Sequence, residues 1–333
     1  MPRTRATTAA SKPAASISPA WSSRHLLGLQ ELSADEIRLL LRQATAYREF
    51  AASNARKSAL LKGRLVVTMF VEPSTRTKVS FNLAARRLGA DTLDFAAGSS
   101  SLSKGETLVD TALNIEAMAI DILVVRHPSS GAPELLTRQV KSAVVNAGDG
   151  AHEHPTQGLL DADTIIQHKG RVEGLRVAVV GDILHSRVAR SNVWALTKLG
   201  AEVWVCGPST LIPDELRDFG VKISYDFDAL LPSLDVVNML RIQHERIKGP
   251  PMFPSIREYA RLFGLNAARM KTAKKDILVM HPGPLNRGVE ITPDVADGPR
   301  SVILDQVTNG LAVRMAVLHR AAGYAPFAPE GKA

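Results

Sequence analysis

Apolar positions along the chain switch repeatedly between helical spacing and short continuous runs, beginning near Leu26. In LSADEIRLLLRQATAYREF the residues Ile37, Leu40, Leu41 and Ala44 share one helix face, with Ser33 as cap and Asp35 and Glu36 in the first turn. A partly β-branched run predicts a strand over 64–71, and Val79, Phe81, Leu83, Ala84 and Leu88 predict a helix opening at Ser74. Next come a strand near Thr92 to Phe95, a helix from about Glu106 to Met118, a strand in ILVVRHP, a helix in APELLTRQV and a strand in SAVVNAG. HPTQGLLDADTIIQHKG predicts a helix from Pro155 to Gly170, and GRVEGL reads as a polar linker. The pattern then restarts: strand VAVVG, a helix from about Arg187 to Leu199, strand EVWVCG, helix PDELRDF, and strands near Val221 to Ser224, in DVVNML and in DILVM. A long amphipathic helix, DQVTNGLAVRMAVLHRAA, closes the series and is expected to pack back on the first half.

Alternation with short connections specifies an α/β fold of two doubly wound domains, each a parallel sheet flanked by helices, with the active site in the cleft between them. The expected divisions are a disordered tail over 1–22, a first domain over 23–157 that also takes the closing helix 307–324, and a second over 158–306. The helix 155–170 links them. Rich in Ala, Ser, Thr and Pro and free of acids, the tail cannot support a core. An organellar transit peptide has a similar composition, but no sustained apolar face accompanies it here.

Composition narrows the class. With 45% hydrophobic and 22% charged residues among 333, the chain suits two soluble globular domains, and no run approaches the roughly 18 apolar residues of a membrane span. The net charge is +8, yet the basic residues are dispersed and aromatics reach only 5%, so an anionic small substrate accounts for it without nucleic acid. The one cysteine, Cys206, lies in the apolar run VWVCG and fits a packed strand in a reducing, cytoplasmic setting.

The strand ends carry the candidate chemistry. They deliver Ser74, Thr75, Arg76 and Thr77; then Arg126 and His127; then Asp149, His152, His154 and Gln157. In the second half they deliver His185, Ser186 and Arg187; Arg241, Gln243 and Arg246; and His281, Pro282, Gly283 and Pro284. Four of these six loops carry an Arg and none supplies a pair of acids, which suits anionic groups held by bidentate guanidinium bonds. Ser74 to Thr77 open a helix, where free N–H groups and the dipole favour an anion by roughly 0.3–2 kcal/mol. Taken alone, the stretch reads equally well as a capped helix with an exposed Arg. Rival chemistries lack their motifs: GDILHSRVARS has no G-x-G-x-x-G, no P-loop is present, and no G-x-S-x-G elbow appears. His152, Glu153, His154, His185 and His281 lack H-E-x-x-H and sit in cationic surroundings, so neither metal nor cofactor is expected.

In order and spacing, Ser74-Thr75-Arg76-Thr77, Arg126-His127-Pro128, His154-Pro155-Thr156-Gln157 and His281-Pro282-Gly283-Pro284 resemble the aspartate and ornithine carbamoyltransferases, from about Arg24 to Ala322. Arg187, the segment Arg241 to Arg246 (R-x-Q-x-E-R) and HPGPLNRGVEI resemble the aspartate-specific branch. Two guanidiniums suit a dicarboxylate and would repel ornithine's ammonium.

The resemblance implies carbamoyl transfer from carbamoyl phosphate to L-aspartate, the committed step of pyrimidine synthesis, through a tetrahedral intermediate. It makes the first domain the carbamoyl phosphate-binding one and the second the aspartate-binding one. Ser74, Thr75, Arg76 and Thr77 would hold phosphate with help from Arg126. Arg126, His154 and Thr77 would bond the carbonyl oxygen, and Gln157 with the Gly283 and Pro284 carbonyls the carbamoyl amide. Arg187, Arg241 and Gln243 would hold the aspartate carboxylates. Lys104 taken alone reads as a solvated loop lysine; its K-G-E-T-L context matches the family's mobile-loop lysine, which would enter the neighbouring subunit's site accompanied by Ser100 and so implies a homotrimer with shared active sites. The family's larger assemblies add a dodecamer with dihydroorotase or a dihydroorotase-like chain. The remaining alternatives are another amino-acid substrate, such as ornithine, or a non-catalytic assembly subunit. Lys78 departs from the family's S-T-R-T-R. No role is assigned to His127, His185, His244 or Arg190, and Arg246 is read as structural.

Overall fold

A computed structural model describes residues 20–52, 57–96, 105–243 and 255–326. Of the tail expected over 1–22, residues 1–19 lie outside the described residues, as do Ser100, Lys104, His244 and Arg246. Trp21, by contrast, is not part of a tail: it is buried and its Nε1 donates to the Tyr324 carbonyl at 3.0 Å.

The first half runs α1 (Ala34–Ala52), β1 (Leu65–Phe70), α2 (Thr75–Arg87), β2 (Asp91–Ala96), α3 (Leu108–Glu116), β3 (Ile122–His127), α4 (Ala132–Thr137), β4 (Ala143–Asp149) and α5 (Pro155–Lys169). The second runs β5 (Arg176–Val180), α6 (Arg187–Lys198), β6 (Glu202–Cys206), β7 (Lys222–Ser224), α7 (Phe227–Leu230), β8 (Val236–Met239), α8 (Ile256–Phe263), α9 (Ala267–Thr272), β9 (Leu278–Met280), α10 (Pro293–Ala296) and α11 (Ile303–Ala321). Two all-parallel sheets result, in the orders β2-β1-β3-β4 and β7-β6-β5-β8-β9. Helices cover both sheets, as the unbroken apolar strands require: β4 is buried at every position.

In each sheet the strand order reverses beside the first strand, between β1 and β3 and between β5 and β8. Crevices open at such points beyond the strand C-termini, which is where every candidate loop sits. The α11 helix packs against α1, α2 and α5, burying Val313, Met315, Ala316, Val317 and Leu318 against the first sheet's helices.

Local expectations were mostly met, with three corrections. PDELRDF is a 3-10 helix over Asp214–Phe219 that ends at the left-handed Gly220; six residues between Pro213 and Gly220 leave no room for a longer α-helix. The closing helix starts at Ile303, before the DQV segment. The short helices α8 and α9 escaped the periodicity reading, although Ser255 and Asn266 cap them through Glu258 N and Arg269 N. Ser33 caps α1 reciprocally: its Oγ accepts from Glu36 N at 3.1 Å, and Glu36 Oε2 accepts from Ser33 N at 3.2 Å.

Candidate active site

Ser74 takes the N-cap position of α2 with extended backbone, yet its side chain makes no capping bond. The first-turn N–H groups of α2 thus lack that usual acceptor and can serve a bound anion. Thr77, in the first turn, is buried. Arg76 crosses to the other half, where its Nη2 donates to the carbonyl of Pro282 at 3.1 Å. Partial burial, and then the nearby Arg241, lower the Arg76 guanidinium from its ordinary value. Lys78 is tied to β2 through Asp94 at 3.4 Å, and Asp94 also accepts from Asn82 at 2.6 Å.

Arg126 leaves the end of β3, and its Nη2 donates to Glu72 Oε1 at 2.7 Å. Arg187, the first residue of α6 and 4% exposed, meets the same carboxylate: Nη1 donates to Oε2 at 3.1 Å and Nη2 bonds Oε1. Glu72 therefore joins a guanidinium from each half. Gly148, at φ +118°, lets the pair approach the backbone; a Cβ there would lie 2.9 Å from Arg187 Nε and 3.3 Å from Arg126 Nη1.

His154 precedes Pro155 at the start of α5 and is 4% exposed. Its backbone N–H donates to Ser191 Oγ at 2.9 Å, while its Nδ1 finds no hydrogen-bond partner among the described residues. Burial above all, then the positive field of Arg126, Arg187, Arg314 and Arg76, holds its imidazole well below the usual range, so it is neutral at pH 7. Arg314 approaches from α11, donating to Ser80 Oγ at 3.0 Å and lying over the Phe81 ring; burial lowers it to about 10.

Gln157 donates from Nε2 to Asp161 Oδ1 at 2.8 Å. Arg241 Nη2 bonds Gln243 Oε1 at 3.4 Å, and Gln243 N donates to Asp182 Oδ2 at 3.1 Å. Gly283 sits at φ +63° before a cis bond to Pro284, its Cβ position only 2.4 Å from Arg76 Nη1. Three other histidines of these loops pair with carboxylates, His152 with Asp149, His185 with Asp182 and His281 with Glu290, while His127 Nδ1 accepts from Ser129 N at 3.0 Å. Among the described residues no group of three His, Cys, Asp or Glu side chains is placed to hold a metal ion.

Sequence reasoning missed Glu72, Arg314 and Asp161. Glu72 had a readable signal, an acid at a strand end two residues before Ser74. Arg314 and Asp161 look like ordinary polar positions of amphipathic helices until the packing is known.

The family model for the carbamoyl-P binding domain of aspartate/ornithine carbamoyltransferase matches residues 24–167, and the model for the Asp/Orn binding domain matches 173–320. The chain belongs to the aspartate/ornithine carbamoyltransferase family. Relatives called aspartate carbamoyltransferase catalytic subunit include one from Heliobacterium modesticaldum, 55% identical over 300 residues, 90% of this chain and 96% of the relative. Another, from Moorella thermoacetica, is 55% identical over 296 residues, 89% of this chain and 96% of its own. Trypanosoma cruzi aspartate transcarbamoylase in complex with carbamoyl phosphate and aspartate superposes with a TM-score of 0.79 at 32% identity, covering 88% of this chain and 95% of that one. Ornithine carbamoyltransferase from Pyrococcus furiosus gives 0.78 at 32% identity over 89% and 96%. Backbone shape thus fits both branches of the carbamoyltransferase family, and the side chains must choose between them.

Proposed function

We propose that the protein transfers the carbamoyl group of carbamoyl phosphate to the amine of L-aspartate, giving N-carbamoyl-L-aspartate and phosphate for pyrimidine synthesis. One observation carries the reading: Arg126, Arg187, Arg314 and Arg76 converge from both halves on a buried, neutral His154, and Arg241 lies beside Arg76. The high identity to aspartate carbamoyltransferase catalytic subunits supports the choice of amine.

Phosphate binds the α2 N-terminus through Ser74, Thr75, Arg76 and Thr77, with Arg126 beside it. The carbonyl oxygen takes hydrogen bonds from Arg126, Thr77 and neutral His154, and the carbamoyl N–H groups meet Gln157 and the carbonyls of Gly283 and Pro284. Aspartate's carboxylates lie on Arg187, Arg241 and Gln243. Its neutral amine attacks the carbamoyl carbon, the oxyanion collapses, the C–O bond to phosphate breaks and the departing phosphate takes the amine proton. Holding the two reactants in line can supply roughly 7–11 kcal/mol of the barrier reduction. Substrate anions replace the Glu72 carboxylate between Arg126 and Arg187, so the free enzyme's ion pairs hold the two guanidiniums in place until ligands arrive.

Lys104 and Ser100 complete the site from a neighbouring subunit of a homotrimer, and a dihydroorotase or dihydroorotase-like chain is the proposed partner of a larger assembly. The proposed compartment is the cytoplasm. Sedimentation of the chain alone and with such a partner tests the assembly. Product formation from labelled carbamoyl phosphate with aspartate or ornithine tests the reaction; turnover of ornithine alone would refute the choice of aspartate.

A further inference from the structure

Four side-chain amides converge on one buried carboxylate. Asp161, one turn after Gln157 on α5, is fully buried. Its Oδ1 accepts from Gln157 Nε2 and Gln306 Nε2, both at 2.8 Å. Its Oδ2 accepts from Asn192 Nδ2 at 2.7 Å and Asn238 Nδ2 at 3.1 Å. The donors come from α5, α11, α6 and β8, so the carboxylate ties together elements of both halves.

Only an acceptor fits at this centre. A carboxyl proton or an amide N–H would face one of the four donors across a hydrogen-bond distance, at a side chain with no exposed surface. Burial raises the Asp161 carboxyl, and the bonds from Asn192, Gln306, Gln157 and Asn238 offset only part of that, leaving it above its ordinary value.

An ionised Asp161 dictates how two of the amides are turned. Gln157 commits its Nε2 inward, leaving Oε1 as the end not held by Asp161. Gln306 likewise commits Nε2, and its Oε1 accepts from His281 N at 2.9 Å. His281 Nδ1 then accepts from Gly283 N at 2.7 Å, while its Nε2 is bonded to Glu290 Oε1 at 3.0 Å. One relay therefore runs from the Gln157 amide through Asp161, Gln306 and His281 to the backbone of Gly283.

We propose that Asp161 is a positioning residue that sets donor specificity: it holds Gln157 Oε1 and the Gly283 and Pro284 carbonyls as a set of acceptors. Such acceptors suit a phosphorylated carbonyl bearing NH2, whose two N–H groups donate to them, and disfavour one bearing CH3, which leaves them unpaired. The inference rests on the carbamoyl phosphate reading above.

The test is equilibrium binding of carbamoyl phosphate, acetyl phosphate and inorganic phosphate to the full chain, with thermal melts reporting folding. Asp161→Asn and Gln306→Met are compared with the parent. Asp161→Asn is expected to lower the preference for carbamoyl over acetyl phosphate by about tenfold or more, with inorganic phosphate shifting less than about twofold. Gln306→Met, which breaks the relay beyond Asp161, is expected to lower the preference by about fivefold. Equal losses for both acyl phosphates, or an unchanged preference, would overturn the proposal. Should Asp161→Asn fail to fold, an unchanged preference in Gln306→Met overturns it alone. A parent protein that never prefers carbamoyl phosphate refutes the functional reading itself, a result distinct from a preference that survives in both variants.

Discussion

Glu72 Oε2 accepts from Arg187 Nη1 at 3.1 Å, a contact that spans the two halves while the same carboxylate also holds Arg126. Removing it leaves two guanidiniums facing each other around Gly148. Glu72→Ala is expected to lose about 1–3 kcal/mol of stability without ligand, less than a fully buried pair because Glu72 keeps some solvent. Inorganic phosphate should restore much of the loss. Thermal melts with and without phosphate check this, and equal destabilisation in both would contradict it.

His154 carries a pH signature. Its folded-state pKa lies well below the unfolded value of 6.5, so the unfolded chain binds the extra proton first as pH falls. The contribution to stability is complete above pH 6.5 and declines below it, toward the folded pKa. His154→Gln should flatten the fall in denaturant midpoint below pH 6.5 relative to the parent. It should also cut kcat by about 10²–10³ as an oxyanion donor is lost. A stability slope identical to the parent's would count against a buried neutral imidazole.

Arg241→Lys keeps the charge but removes the planar fork. The expected result is a rise of about 10-fold or more in KM for aspartate, with binding of carbamoyl phosphate nearly unchanged. Steady-state kinetics with each substrate varied separates the two, and a rise confined to carbamoyl phosphate would move Arg241 out of the aspartate site.

Gly283→Ala places a methyl at the position 2.4 Å from Arg76 Nη1 and strains a φ of +63°. Arg76 is a flexible side chain and will move, so phosphate affinity should suffer more than folding. Gly63→Ala is the control: φ is +74° but nothing lies within 4 Å, so only the backbone cost of about 1–2 kcal/mol applies. Melts paired with phosphate titrations distinguish the two, and equal phosphate affinity in both would contradict the account.

Lys104 is tested by complementation, since each site would draw on two subunits. Lys104→Ala mixed with Arg76→Ala, after subunit exchange, should recover about a quarter of parental activity, the statistical share of sites with both residues intact. No recovery would place Lys104 within its own subunit's site or outside it.

Much of the architecture was legible because most of the parallel strands are short apolar runs and many connections carry Gly or Pro. The arginines were legible for the same reason, standing at strand ends where a parallel sheet delivers its ligand-facing groups. What escaped notice depends on distant partners. Glu72 sits in plain view before Ser74, but its pairing with Arg187 crosses 115 residues. The meeting of Asp161 and Gln306 spans 145, and no local period announces it. Ser74 was legible as a cap position, though not as one whose side chain makes no capping bond.

The α11 helix supplies both Arg314, bonded to Ser80 of α2, and Gln306 beside His281. A nascent chain still holding residues 303–321 inside the ribosome therefore presents an unfinished cleft, whatever the first sheet has already achieved. Catalytic competence waits for α11, so chains stalled or clipped before it should be inert rather than partly active.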